Sequence, residues 1–86
     1  MATTFCFSVH AHASPSALPR ILDAVALCGL VPARCHAQLD PFEEDSLVVE
    51  FQLAGLSARE AAGLARRLGR IVGVESVLWS EKRAAA

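Results

Sequence analysis

The sequence lacks an excess of either charge. Eight basic side chains stand against nine acidic ones, which leaves a formal net charge of −1 over 86 residues. Without a surplus of cations to neutralise phosphates, the composition argues against a nucleic-acid-binding module. A disordered tail is excluded as well, since disorder combines low hydrophobicity with high net charge and 53% of these residues are hydrophobic.

The chain is also poor in cysteine. Cys6, Cys28 and Cys35 are odd in number and form no Cys-x-x-Cys pair, unlike the dense, even set of a disulfide-stabilised secreted domain. We therefore expect buried thiols in a reducing compartment. No apolar run reaches the ~20 residues of a membrane span, and the N-terminus lacks the positively charged region of a signal peptide. These absences predict a soluble, cytoplasmic protein without a membrane contact.

The first half of the chain shows two periodicities. Residues 5–12 alternate between apolar and polar, which predicts a half-buried strand. A helical spacing follows, with apolar residues at Leu18, Ile21, Leu22 and Val25. This spacing predicts an amphipathic helix that begins at residues 16–17 and ends at Gly29, with Ser14–Pro15 as the N-cap and the proline that follows it.

The second half predicts a hairpin and another helix. Residues 31–39 and 46–54 alternate and are joined by an acidic loop, which is typical of two hairpin strands. Pro32 lies near the start of the first of them and places it at a sheet edge, where a missing backbone donor is harmless. Ser57 and Glu60 form a capping box, in which each side chain satisfies a backbone N–H of the other, at the start of the second helix.

The resulting element order is βαββαβ, completed by a strand over 74–80 and a tail over 81–86 that we expect to fray. Two right-handed crossovers predict an α+β ferredoxin-like sandwich, in which a four-stranded antiparallel sheet carries two helices on one face. We expect one domain over residues 1–86, with its folded core over 4–81. A domain this small buries only about 60–65% of its unfolded surface and gains from oligomerising. The large core residues predicted are Phe5, Phe7, Leu22, Phe51, Leu64, Leu68 and Trp79.

Residues suited to catalysis are not arranged for it. The sequence has no Gly-x-Ser-x-Gly elbow and no glycine-rich phosphate-binding turn. A small sandwich with one bare sheet face also lacks a deep cleft in which pKa values shift. We therefore predict a protein that is not an enzyme and carries no cofactor.

Metal binding is the remaining chemical candidate. Cys6, His10 and His12 share one face of the first strand, and His36 projects from the same side of the second. The third strand lies between them in the expected order, which separates His10 from His36 by roughly 9–10 Å. A compact site needs its ligands ~2 Å from one ion. We expect solvated histidines and no metal; a metal-binding carrier stays as an alternative.

Four features suit a binding partner. Leu27 lies opposite the apolar stripe of the first helix, and four arginines share the exposed face of the second helix: Arg59, Arg66, Arg67 and Arg70. This arginine face is either solvated or meets an acidic protein; it carries no interleaved aromatics, so nucleic acid is not expected. The turn after the first strand starts a helix whose free N–H groups suit a carboxylate, and the edge strand suits pairing with a second subunit.

Four segments carry a resemblance to a known family: Ser14–Leu18, Arg20–Leu22, Cys28–Leu30 and Arg70–Val77. With the βαββαβ order they resemble an ACT domain over nearly the whole chain, and in particular the short regulatory subunit of acetohydroxyacid (acetolactate) synthase. The resemblance implies a homodimer, or a larger homo-oligomer, with side-by-side sheets and an effector amino acid at the subunit interface. Its ligand-binding positions in one subunit and in the partner correspond to Ser14, Pro15, Ser16, Ala17 and Leu18, and to Val31, Pro32 and Ala33.

Two of these positions depart from the family pattern. Ser16 replaces a glycine that lets the backbone approach the ligand, and Val31 replaces a polar residue, so we expect an altered pocket with protein contact as the surviving role. The resemblance implies a non-catalytic regulatory subunit that modulates an amino-acid biosynthetic enzyme, with acetolactate synthase and branched-chain amino-acid biosynthesis as the specific case. The alternative is an amino-acid sensor without a fixed enzyme partner.

Overall fold

Strands and helices follow each other in the predicted order. A computed structural model describes residues 3–82. The elements are β1 (Thr4–His12), α1 (Ala17–Ala26), β2 (Arg34–Leu39), β3 (Ser46–Ala54), α2 (Ala58–Gly69) and β4 (Val74–Lys82). The strands form one sheet in the order β2-β3-β1-β4, and each neighbouring pair is antiparallel. This architecture confirms the ferredoxin-like sandwich, with β2 and β4 at the sheet edges.

The core lies between one face of the sheet and the two helices. Alternation on β1 and β3 points their apolar residues to that face, where Phe7 and Phe51 pair in register and stack with ring centroids 5.0 Å apart. From the helices, Ile21, Leu64 and Leu68 are buried against them. Each fully buried large side chain contributes about 1.5–3 kcal/mol of transfer free energy, so these few residues supply much of the stability.

Two predicted core residues lie outside the core. Leu22 is 38% exposed and Trp79 is 39% exposed. The buried stripe of α1 is instead Ala17, Ile21, Ala24 and Val25, which turns Leu22 toward solvent. Trp79 lies on the edge strand β4, where its ring covers Phe5 and Phe7 from the rim, with centroids 5.8 and 6.5 Å away.

Several predicted boundaries were wrong. The N-cap of α1 is Ser16 rather than Ser14, and its side chain makes no capping hydrogen bond. The helix ends at Ala26, three residues before Gly29. Regular pairing of β2 begins at Arg34 rather than at residue 31, because Pro32 has no N–H to donate.

The C-terminal tail was also predicted wrongly in part. Glu81 and Lys82 belong to β4, because β1 offers them Phe5 and Thr4 as pairing partners. The rest of the predicted tail, residues 83–86, lies outside the described residues. The capping box of α2 is confirmed: the Ser57 amide donates to Glu60 Oε1 over 3.0 Å, and the Glu60 amide donates to Ser57 Oγ over 3.1 Å.

Candidate functional site

The turn between β1 and α1 is held at one end of the sheet by backbone hydrogen bonds. The His12 amide donates to the Gly73 carbonyl and the Ala13 amide to the Asp45 carbonyl, both over 2.7 Å. Within the turn, the Ala17 amide donates to the Ser14 carbonyl over 3.1 Å. Three connections between elements therefore meet here, and they fix the position of the turn.

The side chains of this turn are mostly open to solvent. Ser14, Pro15 and Ser16 are exposed, Ala17 is buried and Leu18 is half-buried. The hydroxyls of Ser14 and Ser16 lie 3.4 Å apart. Ser16 has φ −89°, a backbone conformation that any residue adopts, so no glycine is required for the turn itself. A turn with glycine at position 16 would therefore differ from this one only in lacking the Ser16 side chain.

The second half of the predicted ligand set lies near the other end of the sheet. The Ala33 amide donates to the Gln52 carbonyl over 2.9 Å, and Gln52 is in register with Cys6 on β1. From Cys6 to His12 the strand runs about 20 Å at ~3.3–3.4 Å per residue. One subunit therefore does not bring the turn at 14–18 and the segment at 31–33 together.

The edge strand β2 is uncovered on both faces. All six of its residues are exposed, although Cys35 and Ala37 pair with Phe51 and Val49, which are buried beneath the helices. Leu39, on the same face, is 56% exposed. The helical layer thus stops short of β2 and leaves an apolar strip beside an unpaired backbone edge, which is the usual template for pairing with another strand.

Two more apolar residues flank this edge. Val31, just before β2, is 90% exposed, and Phe42, just after it, is also exposed. Phe42 is presented by a fixed turn, because the Asp40 Oδ1 atom accepts hydrogen bonds from the Phe42 and Glu43 amides over 2.8 and 3.3 Å. Sequence alternation predicted the strand and Pro32 placed it at a sheet edge, but neither indicated that Leu39 and Phe42 stay uncovered.

The helical layer carries a groove of about 570 Å³ between α1 and α2. Leu27, which is 75% exposed, lies at its rim. Three of the four predicted arginines line the groove, namely Arg66, Arg67 and Arg70, whereas Arg59 does not. Gly63 is a lining residue that sequence analysis missed; its place in the series Glu60, Gly63, Leu64 and Arg67, at helical spacing, was the available signal.

The open face of the sheet carries the histidines. His10 and His36 both point there, on β1 and β2, with β3 between them as expected. The His36 Nε2 atom lies 3.1 Å from Gln38 Oε1, and the buried Nδ1 atom of His10 has no hydrogen-bond partner among residues 3–82. His12 is exposed at the strand end. Across that same range, no three His, Cys, Asp or Glu side chains cluster in a way that would hold a metal ion.

The helices of the described chain are too short and too polar to cross a membrane. The backbone hydrogen bond from Ser57, with a smaller contribution from its hydroxyl, holds the pKa of Glu60 below its usual value. Since Glu60 is a helix cap, this shift belongs to the fold rather than to a reactive site.

Comparison with known families and structures gives one family. A family model described as an ACT-like domain matches residues 1–86. No curated protein sequence matches the chain.

Solved structures resemble the fold at low sequence identity. The ACT domain from a GTP pyrophosphokinase of Chlorobium tepidum has a TM-score of 0.80 at 8% identity, covering 93% of this chain and all of that one. An uncharacterised protein from Thermotoga maritima has a TM-score of 0.75 at 13% identity, covering 96% and 100%. A homoserine dehydrogenase from Thiobacillus denitrificans has a TM-score of 0.73 at 10% identity, with 94% of this chain matching 17% of that enzyme.

Proposed function

This chain belongs to the ACT-like domain family, and we propose that it acts, over residues 1–86, as a non-catalytic regulatory domain. In this proposal two copies pair through β2, an amino acid binds between them, and the assembly modulates an amino-acid biosynthetic enzyme. One observation carries the proposal. The two halves of the predicted ligand set lie near opposite ends of one subunit's sheet, while a bare apolar edge runs between those ends.

Antiparallel pairing of β2 with the same strand of a second copy reconciles these positions. The sheet end that holds the turn at 14–18 is also the end at which β2 finishes, because Leu39 pairs with Leu47 at the start of β3. In an antiparallel pair, the start of one strand lies against the end of the other. The partner's segment 31–33 then lies at the same end of the sheet as the turn at 14–18, and the exposed Leu39 and Phe42 are covered.

The chemistry of the two segments suits an amino acid with an apolar side chain. The hydroxyls of Ser14 and Ser16 and the Leu18 N–H are donors for a carboxylate. The Ala17 and Arg20 amides are not, since they already donate to the carbonyls of the two serines. Because Pro19 has no N–H to donate in the first turn of α1, the two serine hydroxyls are more important as donors to the carboxylate. Val31 offers the ligand an exposed aliphatic surface rather than a polar partner. The branched-chain amino acids combine a carboxylate for these donors with an aliphatic side chain for Val31.

Thermal unfolding in the presence of single amino acids tests the ligand. We expect valine, leucine or isoleucine, at a concentration about a hundredfold above Kd, to stabilise the fold by about 2.7 kcal/mol. For a domain of this size that raises Tm by roughly 10 °C or more. Glutamate is the matched control ligand, and Val31→Asp is the variant that should abolish the shift. A flat response to all twenty amino acids would reject ligand binding and leave the protein-contact function standing.

The regulated enzyme is proposed to be acetolactate synthase, on the resemblance of the turn and of segment 70–77 to its short regulatory subunit. The assembly would work in the cytoplasm, since the odd number of cysteines without a Cys-x-x-Cys pair favours a reducing compartment. The test is the synthase rate with and without the purified chain, in the presence and absence of valine. An altered rate or an altered valine response supports the assignment. An unchanged rate beside clear amino-acid binding would favour a sensor without that enzyme as its partner.

A further inference from the structure

The groove between α1 and α2 has an apolar floor and a basic rim. Leu56 and Leu64 are buried beneath it, and Gly63 leaves its middle open. An added Cβ at Gly63 would meet only the Arg66 guanidinium, at 3.8 Å. Arg66, Arg67 and Arg70 form the rim along α2, and Leu27 forms the opposite wall at the end of α1.

A second, shallower hollow of about 360 Å³ continues this surface. Leu27 and Arg67 line both hollows, and Ala24, Ile71 and Val72 add apolar lining. Val72 and Leu27 are largely exposed. The two hollows therefore form one elongated strip, apolar along its middle and basic along one side, which we call the α1–α2 strip.

The charges of the strip select its occupant. Arg20, Arg66, Arg67 and Arg70 line it against only Asp23 and Glu60. None of these arginines forms an ion pair within the described part of the chain. A second copy would bring the same cationic strip against itself, and like charges face to face are unfavourable. The strip therefore suits a different protein with acidic side chains.

We propose that the α1–α2 strip docks an acidic amphipathic helix of a partner protein. Its apolar residues, spaced i, i+3, i+4 and i+7, lie along Leu27 and the groove floor, as in other helix-in-groove complexes, and its flanking carboxylates pair with the arginine rim. The proposal rests on the proposed function to this extent: the natural owner of the helix is the regulated enzyme. The strip lies on the helical layer, so the β2 edge stays free to pair.

The test is the binding of a synthetic helical peptide of about 18 residues, five turns long, with leucines at those spacings and glutamates elsewhere. A peptide with lysine at every glutamate position is the matched control. We expect fluorescence anisotropy to show binding of the acidic peptide that weakens as salt is added. We expect the lysine peptide to bind at least about tenfold more weakly.

Variants of the protein test whether the peptide binds at the α1–α2 strip. Arg66→Glu with Arg67→Glu should weaken binding at least about tenfold. Arg59→Glu, on the same helix but outside the groove, should leave it unchanged. Gly63→Met fills the groove floor and should abolish binding; because it replaces a helical glycine, it should not lower Tm, so its loss of binding is not a loss of folding.

Three results would overturn the proposal. The first is equal binding of the acidic and lysine peptides. The second is an Arg59→Glu variant that weakens binding as much as the double variant. The third is binding of a single-stranded RNA of about 20 nucleotides, abolished by Arg66→Glu with Arg67→Glu, without binding of the acidic peptide. Failure of the proposed function is distinct: it would leave peptide binding intact while the synthase rate and the amino-acid thermal shifts stay unchanged.

Discussion

Strands β2 and β4 both lie at an edge of the sheet, but their surroundings are opposite. At β4, helix α2 packs over the strand, Val74 and Val77 are half-buried, and the register shifts between His10 and Ala11. Such irregularity discourages further pairing. At β2 no helix covers the strand, every residue is exposed, and regular pairing with β3 runs from Arg34 to Leu39 without a shift. An edge that is both bare and regular is the one that we propose to pair with a second chain.

The largest expected effect separates the two edges by charge. Leu39→Glu on β2 should place an unpaired carboxylate in the proposed dimer interface, which costs about 3–5 kcal/mol and raises the dimer dissociation constant by at least about a hundredfold. Leu78→Glu on β4, also at an exposed leucine, is the matched control and should leave the constant unchanged. Sedimentation equilibrium measures both. Equal dissociation by both variants would erase the distinction between the edges.

The next prediction compares the two ends of one row of side chains. Trp79, Phe7, Phe51 and Cys35 lie in register across the four strands. In a monomeric Leu39→Glu background, Trp79→Ala should lower the free energy of unfolding by about 2–3 kcal/mol, less than a fully buried aromatic truncation, because the ring covers Phe5 and Phe7 although it is 39% exposed. Cys35→Ala should change it by less than about 0.5 kcal/mol. Urea denaturation gives both values, and a large Cys35 effect would mean that β2 is covered in the monomer.

A smaller effect concerns the N-terminus of α2, the helix that covers β4. Ser57→Ala removes the cap and should cost about 1 kcal/mol at neutral pH. A carboxyl whose pKa is lower in the folded state stabilises the fold above its unfolded pKa, and that contribution is lost as pH falls through the folded value. Because the pKa of Glu60 is lowered by the Ser57 backbone N–H and, to a smaller extent, by its hydroxyl, the difference between wild type and Glu60→Ala should shrink in acid. A pH series of denaturation curves checks the trend, and a difference that grows in acid would contradict it.

The smallest effect is a gain in stability on the same helix. Gly63→Ala should raise the free energy of unfolding by about 0.5–1 kcal/mol, because the added methyl meets only a side chain at 3.8 Å. Gly55→Ala is the control of opposite sign: Gly55 has φ +92°, a conformation that strains alanine. If both substitutions destabilise, the space above α2 is not open.

Sequence patterns predicted the parts of this molecule that local rules determine. Alternation located β3 at its observed bounds, and the Ser57–Glu60 pair located the start of α2. Local rules failed where packing decides. Leu22 has the helical spacing of a core residue, but Ala17 and Ala24 occupy buried positions of α1 and Leu22 is exposed. The same alternation that assigned β2 said nothing about which edge the helices leave bare.

The residues alone indicated the turn at 14–18 and an edge strand, but only the resemblance joined that turn to residues 31–33 as one candidate site. No local rule relates the turn at 14–18 to residues 31–33, since they lie about 20 Å apart along the sheet of one subunit. Their proposed meeting depends on a second chain, which sequence periodicity does not describe. The arginines illustrate the same limit: the helical wheel grouped Arg59 with Arg66, Arg67 and Arg70, and only the packing of α1 against α2 separated it from the groove.

One measurement directly tests whether the β2 strands of two chains pair. One sample carries a spin label at Ser16→Cys, has its native cysteines replaced by alanine, and contains no ¹⁵N. It is mixed with ¹⁵N-labelled protein that carries no spin label. If β2 strands pair antiparallel, the Val31 and Ala33 amide signals of the ¹⁵N chains should broaden in the mixture. Unchanged signals at Val31 and Ala33, or broadening confined to β4, would contradict the account.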